Sequence, residues 1–192
     1  MILIDKSSLR RELIARRNDI SMIENAELSA RACEALLKLP EYARAGTVLC
    51  YKGIRSELET RGFIMQALAD GKRVCLPKIA GDSLVAVRYT PESGFVPGRF
   101  GTLEPASSDI VPAREIEIAI VPGVGFDLNG GRIGYGKGYF DRYLKEVHCP
   151  RVGVAFGVQI VEDVFSDEWD VKMDVVATDR GTFVCGNEGR GQ

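Results

Sequence analysis

The chain reads as a single three-layer α/β domain, with a mostly parallel, twisted sheet and helices on both faces. Three observations point there. The runs GTVLCY, KRVCLPKI, EIAIVP and RVGVAF are apolar and β-branched without strict alternation, as strands buried on both faces are. Helical patterns alternate with them, and the first strand, helix and strand follow within about thirty residues, the βαβ order that implies parallel pairing. The 192 residues suffice for one sizeable core, and no internal repeat or linker divides them. Residues 1–186 are therefore expected to form one domain and the polar, Gly-rich residues 187–192 a disordered tail.

Taken in order, Asp5 to Arg17 spaces Leu9, Leu13 and Ile14 as an amphipathic helix does, and Lys6, Arg10 and Arg17 fall near one another on it. Standing alone, such charges would be a solvated face. A second helix is predicted from Ser21 to Leu39, with Ser21 at the N-cap, Glu24 at capping-box spacing and Pro40 as its stop. Gly46 to Tyr51 is a strand. The segment KGIRSELET then leads into the helix RGFIMQALADG, closed by Gly71, and a strand from Arg73 to Leu76 that ends at Pro77. SLVAVRYT is a further strand, followed by a Pro- and Gly-punctuated loop to about Arg114, in which Pro91 to Pro105 is expected to help cover a site. After EIAIVP and a Gly-rich stretch come the helix YFDRYLKEV, a strand from Arg151 to Phe156, and two short runs, DVVATD and GTFVC. The loops at Tyr51 to Thr60, Val121 to Gly138 and Phe165 to Asp179 lie at or near strand ends. Ligands of such sheets bind at the carboxyl ends of strands, so the three are expected to meet at one edge.

A net charge of -2 argues against broad nucleic-acid or membrane-surface binding, which needs a positive field. No apolar window is long enough to span a bilayer, and the first residues lack the features of a signal peptide, so a cytoplasmic location is expected; no strand or helix stands out as a leftover apolar patch, so a compact monomer is expected. Cys33, Cys50, Cys75, Cys149 and Cys185 are scattered and form no C-x-x-C pair, which suits a reducing compartment and small buried hydrophobes rather than zinc. His148 is the only histidine and lies in a helix-to-strand connection, so neither a Ser-His-Asp triad nor a His-based metal site is expected. Chemistry must rest on carboxylates, Lys, Arg, Tyr and backbone amides.

The stretch Val121 to Leu144 concentrates those groups. Gly130, Gly131, Gly134, Gly136 and Gly138 are set around Arg132 and Lys137 ahead of a helix start. Backbone without Cβ atoms can turn several N–H groups on one anion, with Lys137 as a point charge and Arg132 as a planar fork. GRIGYGKG is not a P-loop, because Gly138 stands where the metal-binding hydroxyl belongs, and it is not a dinucleotide fingerprint either. Asp141 could hold Mg²⁺, and the rings of Tyr135 and Tyr139 could stack on a planar ligand. A plain Gly-rich turn is the alternative.

VPGVGFDLNGGRIGYGKGYFDRYL closely resembles the signature of the 5-formyltetrahydrofolate cyclo-ligase (5,10-methenyltetrahydrofolate synthetase) family. KSSLRRELIARR, YKGIRSELET, GKRVCLPKI, FGTLEP and DEWDVKMDVVATD resemble that family's other segments, in its order and over nearly the whole chain. The resemblance implies ATP- and Mg²⁺-dependent conversion of 5-formyltetrahydrofolate to 5,10-methenyltetrahydrofolate, ADP and phosphate, through phosphorylation of the formyl oxygen and attack by N10. It implies Lys137, Arg132 and Glu57 as catalytic residues. Lys6, Arg10, Arg132, Ile133, Gly134, Tyr135, Gly136, Lys137, Gly138, Tyr139 and Phe140 would bind ATP. Lys52 and Glu57, with Tyr135, Gly136, Lys137, Gly138 and Tyr139, would border the folate, and Asp141 and Asp170 would serve Mg²⁺. Three positions depart from the family's common residues: Phe140 replaces a Tyr, Trp169 a His and Asp179 a Glu. A non-catalytic folate-binding protein, and a sugar-phosphate isomerase or CoA-transferase-like enzyme on a similar scaffold, are the other readings.

Overall fold

The computed structural model describes residues 5–186, so the expected tail at 187–192 lies outside the described residues. α1 (Lys6–Asn18), α2 (Met22–Leu37) and α3 (Pro40–Arg44) open the chain, and β1 (Thr47–Leu49), α4 (Arg61–Ala69) and β2 (Arg73–Ala80) form the expected βαβ unit. β3 (Ser83–Arg88) returns along β2 through a two-residue turn whose Gly81 takes φ 61, the positive φ that tight hairpins ask of their first turn residue. β4 (Phe95–Pro97), β5 (Leu103–Pro105) and β6 (Ile110–Val111) follow, then β7 (Ile118–Pro122), β8 (Gly125–Phe126), β9 (Arg132–Ile133), α5 (Tyr139–Leu144), β10 (Arg151–Ala155), β11 (Val175–Thr178) and β12 (Gly181–Val184).

The large sheet runs β12-β11-β10-β7-β1-β2-β3-β6. Its centre, β11 to β2, is parallel, and β12 at one edge and β3 and β6 at the other are antiparallel. Successive side chains of a strand face opposite ways, and both faces are buried here. Ile118 and Ile120 of β7 meet Leu36 of α2, Tyr42 of α3 and Phe63 of α4 in one core, whereas Ala119 and Val121 join Tyr143 and Leu144 of α5 in another. That accounts for the unalternated apolar runs. α1 lies elsewhere: Leu9 and Leu13 pack with Val124 and Ile133 of the Gly-rich segment and with Val164 beyond β10, which is what carries the basic residues of α1 to the site. No helix among the described residues is long and apolar enough to cross a membrane.

Several local expectations change. α2 ends at Leu37, and Pro40 begins α3 as an N1 proline instead of merely stopping a helix. β2 continues through Pro77 to Ala80. The Val74 carbonyl accepts from Tyr89 and the Cys75 carbonyl from Cys50, so alternate residues of β2 address its two neighbours. Pro77, two beyond Cys75, turns its nitrogen to the side where β1 has ended, and no ladder bond is lost. The predicted long loop contains β4 paired with β5, while β6 joins the large sheet. The Gly-rich stretch contains the β8–β9 hairpin, and the helix after it stops at Leu144, with Lys145 as its C-cap. Cys33, Cys50 and Cys75 are buried, but Cys149 and Cys185 are only partly so.

Candidate active site

At the carboxyl ends of the central strands lies a cavity of about 640 Å³, within the range of small-molecule sites. The three loops expected to converge all contribute: Lys52 and Glu57 from the first, Arg132, Gly134, Tyr135, Gly136, Lys137 and Gly138 from the second, and Asp170 from the third. α1 adds Lys6 and Arg10, and the start of α5 adds Tyr139, Phe140 and Asp141. Leu76, Pro77, Ile79, Leu84 and Leu103 form an apolar wall. Thr102 to Pro105 also line the cavity, the part of the Pro91 to Pro105 segment that meets it. Ile133 does not belong with the others: it is buried with Leu9, Leu13 and Val124, because a residue on the short strand β9 must face the core when its neighbour Arg132 faces the cavity.

The Gly-rich segment is held from beneath by Asp127, a buried carboxylate that accepts the N–H groups of Asn129, Gly131 and Val164 at 2.9, 2.8 and 3.1 Å. Gly131 packs against that carboxylate. A Cβ there would meet Asp127 Oδ2 and stand 2.6 Å from both Ser166 Oγ and Val164 Cγ2. Asp127 is tied to three amides and cannot yield, so Gly131→Ala is expected to lose about 1–3 kcal/mol of stability in urea unfolding. Farther along, Gly136 and Gly138 have φ 87 and 67, which bend the backbone sharply around Lys137, itself exposed at the cavity.

Two of the cations expected on phosphate, Lys6 and Arg132, are paired with the two carboxylates expected on metal. Lys6 Nζ donates to Asp170 at 2.7 Å and to Asp167 at 3.1 Å. Burial opposes the Lys6 charge, but those two carboxylates overcome it and hold the ammonium pKa above its ordinary value. For Asp170, burial is likewise outweighed, chiefly by the Lys6 hydrogen bond, and its pKa is lowered, with Arg132 close enough to add to the effect. The almost fully buried Arg132 pairs with Asp141 and donates to the Pro122 carbonyl at 3.2 Å, while its Nε has no partner. Arg10 Nε donates to the Gly134 carbonyl at 2.7 Å.

Among the described residues no three His, Cys, Asp or Glu side chains cluster as a preformed cation cage. Mg²⁺ that arrives with phosphates uses only one or two carboxylates, and the two that line this cavity near the Gly-rich segment, Asp141 and Asp170, are of a kind that could hold it.

On another part of the wall stands Glu57, buried, with Oε1 accepting from the Tyr135 hydroxyl at 2.8 Å and Oε2 from the Ile54 N–H at 3.0 Å. Burial raises its pKa, against the opposing pull of the Ile54 amide, Tyr135, Arg17 and Arg55. The Tyr135 phenol is itself pushed up to about 12, first by burial and then by the Glu57 charge. Lys52 rests its ammonium 5.1 Å from the Phe95 ring centroid, and Arg142 covers the Tyr139 ring at 5.0 Å. A buried carboxylate with free lone pairs can take N–H donors of a planar ligand, and the cationic Gly-rich segment can take an anion.

Three groups in this network lie outside the expected site residues: Arg17, Arg55 and Asp167. Helical spacing puts Arg17 on the basic side of α1, but its partners are distant in sequence. Arg55 lines the cavity at φ 55, and Asp167 shares Lys6 with Asp170. Of the departing positions, Phe140 lines the cavity, Trp169 is exposed and Asp179 accepts the Gly157 N–H at 2.6 Å.

A model of the 5-formyltetrahydrofolate cyclo-ligase family matches residues 3–179. A 5-formyltetrahydrofolate cyclo-ligase of Escherichia coli is 31% identical over 171 residues, 85% of this chain and 94% of the relative. The solution structure of Aquifex aeolicus 5,10-methenyltetrahydrofolate synthetase superimposes with a TM-score of 0.86 at 34% identity, covering 97% of this chain and 95% of that one. A 5,10-methenyltetrahydrofolate synthetase from Mycoplasma pneumoniae gives a TM-score of 0.76 at 25% identity, with 92% and 99% covered.

Proposed function

The chain belongs to the 5-formyltetrahydrofolate cyclo-ligase family, and from that premise we propose that it converts 5-formyltetrahydrofolate and ATP to 5,10-methenyltetrahydrofolate, ADP and phosphate. The observation that carries the reading is that the cation-bearing Gly-rich segment and the buried Glu57–Tyr135 pair line one cavity, so an anionic phosphoryl donor and a planar heterocycle can share it.

The formyl carbon is a poor electrophile because N5 donates into it, and its oxygen is a poor leaving group. Transfer of the γ-phosphoryl group to that oxygen breaks the bond to ADP, forms a new P–O bond and draws the N5 lone pair into an iminium phosphate. N10 then attacks the carbon and loses its proton, and the C–O bond breaks with departure of phosphate. The first step is governed by positioning and charge neutralisation more than by covalent help from the protein. Lys6, Arg10, Arg132 and Lys137 would serve the phosphates, together with the amides around Gly136 and Gly138. Mg²⁺, held by Asp141 and Asp170 with the nucleotide, would supply charge neutralisation at the phosphate oxygens.

The ion pairs make physical sense in this light. Lys6 with Asp170 and Arg132 with Asp141 balance their charges within the protein. A metal-nucleotide complex brings both signs of charge, so each partner gains a new counterpart. Glu57 would accept N–H groups of the pterin, and the apolar wall with Thr102 to Pro105 would keep water from the activated intermediate.

The direct test follows the absorbance of the methenyl product. It is expected to rise with 5-formyltetrahydrofolate, ATP and Mg²⁺ together, with stoichiometric ADP, and to fail when ATP is omitted or the metal is chelated. Product formed without ATP, or none with it, would overturn the reading.

A further inference from the structure

We propose that Arg17 is a positioning residue for the folate side of the site, fixing Glu57 through the Tyr135 hydroxyl so that the carboxylate faces the pterin as an acceptor. The inference rests on the cyclo-ligase reading above and adds to it a residue that lies outside the cavity lining.

Arg17 is 3% exposed, unusual for a guanidinium, and among the described residues its hydrogen-bond partners are hydroxyls rather than carboxylates. Its Nη2 donates to the Tyr135 hydroxyl at 2.7 Å and its Nε to Ser56 Oγ at 3.1 Å, while Nη1 has no partner. Its guanidinium carbon lies 5.8 Å from the centroid of the Tyr135 ring. Arginine has donors only, so the Tyr135 oxygen must be the acceptor in that bond. The one hydroxyl proton is then committed to the oxygen's other partner, Glu57 Oε1, at 2.8 Å. Direction is thus imposed along the chain from guanidinium to phenol to carboxylate. Oε2 is tied to the Ile54 amide, so the carboxylate plane has little freedom to turn.

The charged and titratable groups facing Glu57 are Arg17 from α1, Tyr135 from the Gly-rich segment, and Arg55 and Tyr51 from its own loop. Arg17 is the one that supplies both charge and a fixed donor to the relay. Burial pulls the Glu57 pKa up and Arg17 holds it back, so loss of Arg17 must move the carboxyl titration to higher pH.

The experiment compares Arg17→Met, Tyr135→Phe, their double variant and Arg17→Lys. Binding of 5-formyltetrahydrofolate without ATP is measured by calorimetry, and kcat/KM for the folate is followed against pH. Each single variant is expected to bind about tenfold more weakly and to shift the acid limb upward. The double variant should lose little more than either one, because both break the same relay. Arg17→Lys, which keeps a charge and a donor, should recover most of the loss. Thermal unfolding separates folding from positioning. Should Arg17→Met not fold, Tyr135→Phe reads the same relay with its ring packing kept. Wild-type affinity and an unmoved limb in Tyr135→Phe, or losses that multiply in the double variant, would overturn the proposal. If the wild-type protein itself bound no 5-formyltetrahydrofolate, the cyclo-ligase reading would fail with it; normal wild-type binding beside an indifferent, folded Arg17→Met variant defeats the positioning role alone.

Discussion

Arg132→Ala is expected to lower turnover by about 10²–10³-fold with ATP saturating, and to raise KM for ATP as well. The guanidinium is only 4% exposed, yet its counterion Asp141 is 35% exposed and in reach of solvent. Much of the pair's electrostatic value to the fold is therefore screened, and removal should cost only about 1–3 kcal/mol of stability, mainly from the buried donor bond to Pro122 and the emptied volume. Function should suffer far more than folding. The Nε is buried with no hydrogen-bond partner among the described residues, and a donor so placed suits an anion. Arg132→Lys keeps a charge but not the fork, so it should fall between the alanine variant and the wild type. Steady-state kinetics in ATP beside urea unfolding read the two effects separately, and an alanine variant with undiminished kcat/KM for ATP would remove Arg132 from the phosphate site.

What could be read from the sequence was what local physics decides. The unalternated runs around Val48, Ile120 and Val152 announced strands covered on both sides, and the glycines around Lys137 announced a sharply bent cationic segment. Lys6 and Arg10 share one side of α1 by helical spacing alone, and both reach the cavity. The misses came where a neighbour overruled a local rule. Pro77 looks like a strand terminator until β1 is seen to end beside it, and Ile133 looks like part of the cradle until Leu13 and Val124 claim it for the core. The pairings were hidden for a different reason. Lys6 and Asp170 stand 164 positions apart, and Arg17 and Tyr135 stand 118 apart, so nothing in a window of sequence reports them. Composition signalled cations near one another. Only the fold shows that carboxylates accompany them, and hence that Lys6 and Arg132 already have counterions in the cavity.

Glu57→Gln is expected to lower kcat/KM for 5-formyltetrahydrofolate by about 10²-fold, the worth of one or two hydrogen bonds to a charged acceptor, with KM for ATP nearly unchanged. The substitution keeps the volume and an oxygen for Tyr135, but it sets an NH2 where Oε2 accepts the Ile54 N–H, so it removes the charge together with that one acceptor. Burial raises the Glu57 pKa, and the neighbouring donors do not fully offset it. The acid limb of the wild-type profile should therefore lie above the ordinary carboxyl range, as Glu57 becomes protonated and loses acceptor strength when pH falls. In the Glu57→Gln variant that limb should vanish. Stability should move the other way. A carboxyl whose pKa is raised in the folded state favours folding when protonated, an advantage present at low pH and lost as pH rises through the folded value. At neutral pH the buried charge works against the fold, so Glu57→Gln gains by losing it and gives that gain back at the Ile54 N–H; its stability should stay near that of the wild type there and show less pH dependence. A variant that is as stable as the wild type and much less active would mark Glu57 as a group kept for its ligand. Wild-type folate kinetics would assign it to the scaffold instead, and an equal loss of stability and activity would do the same.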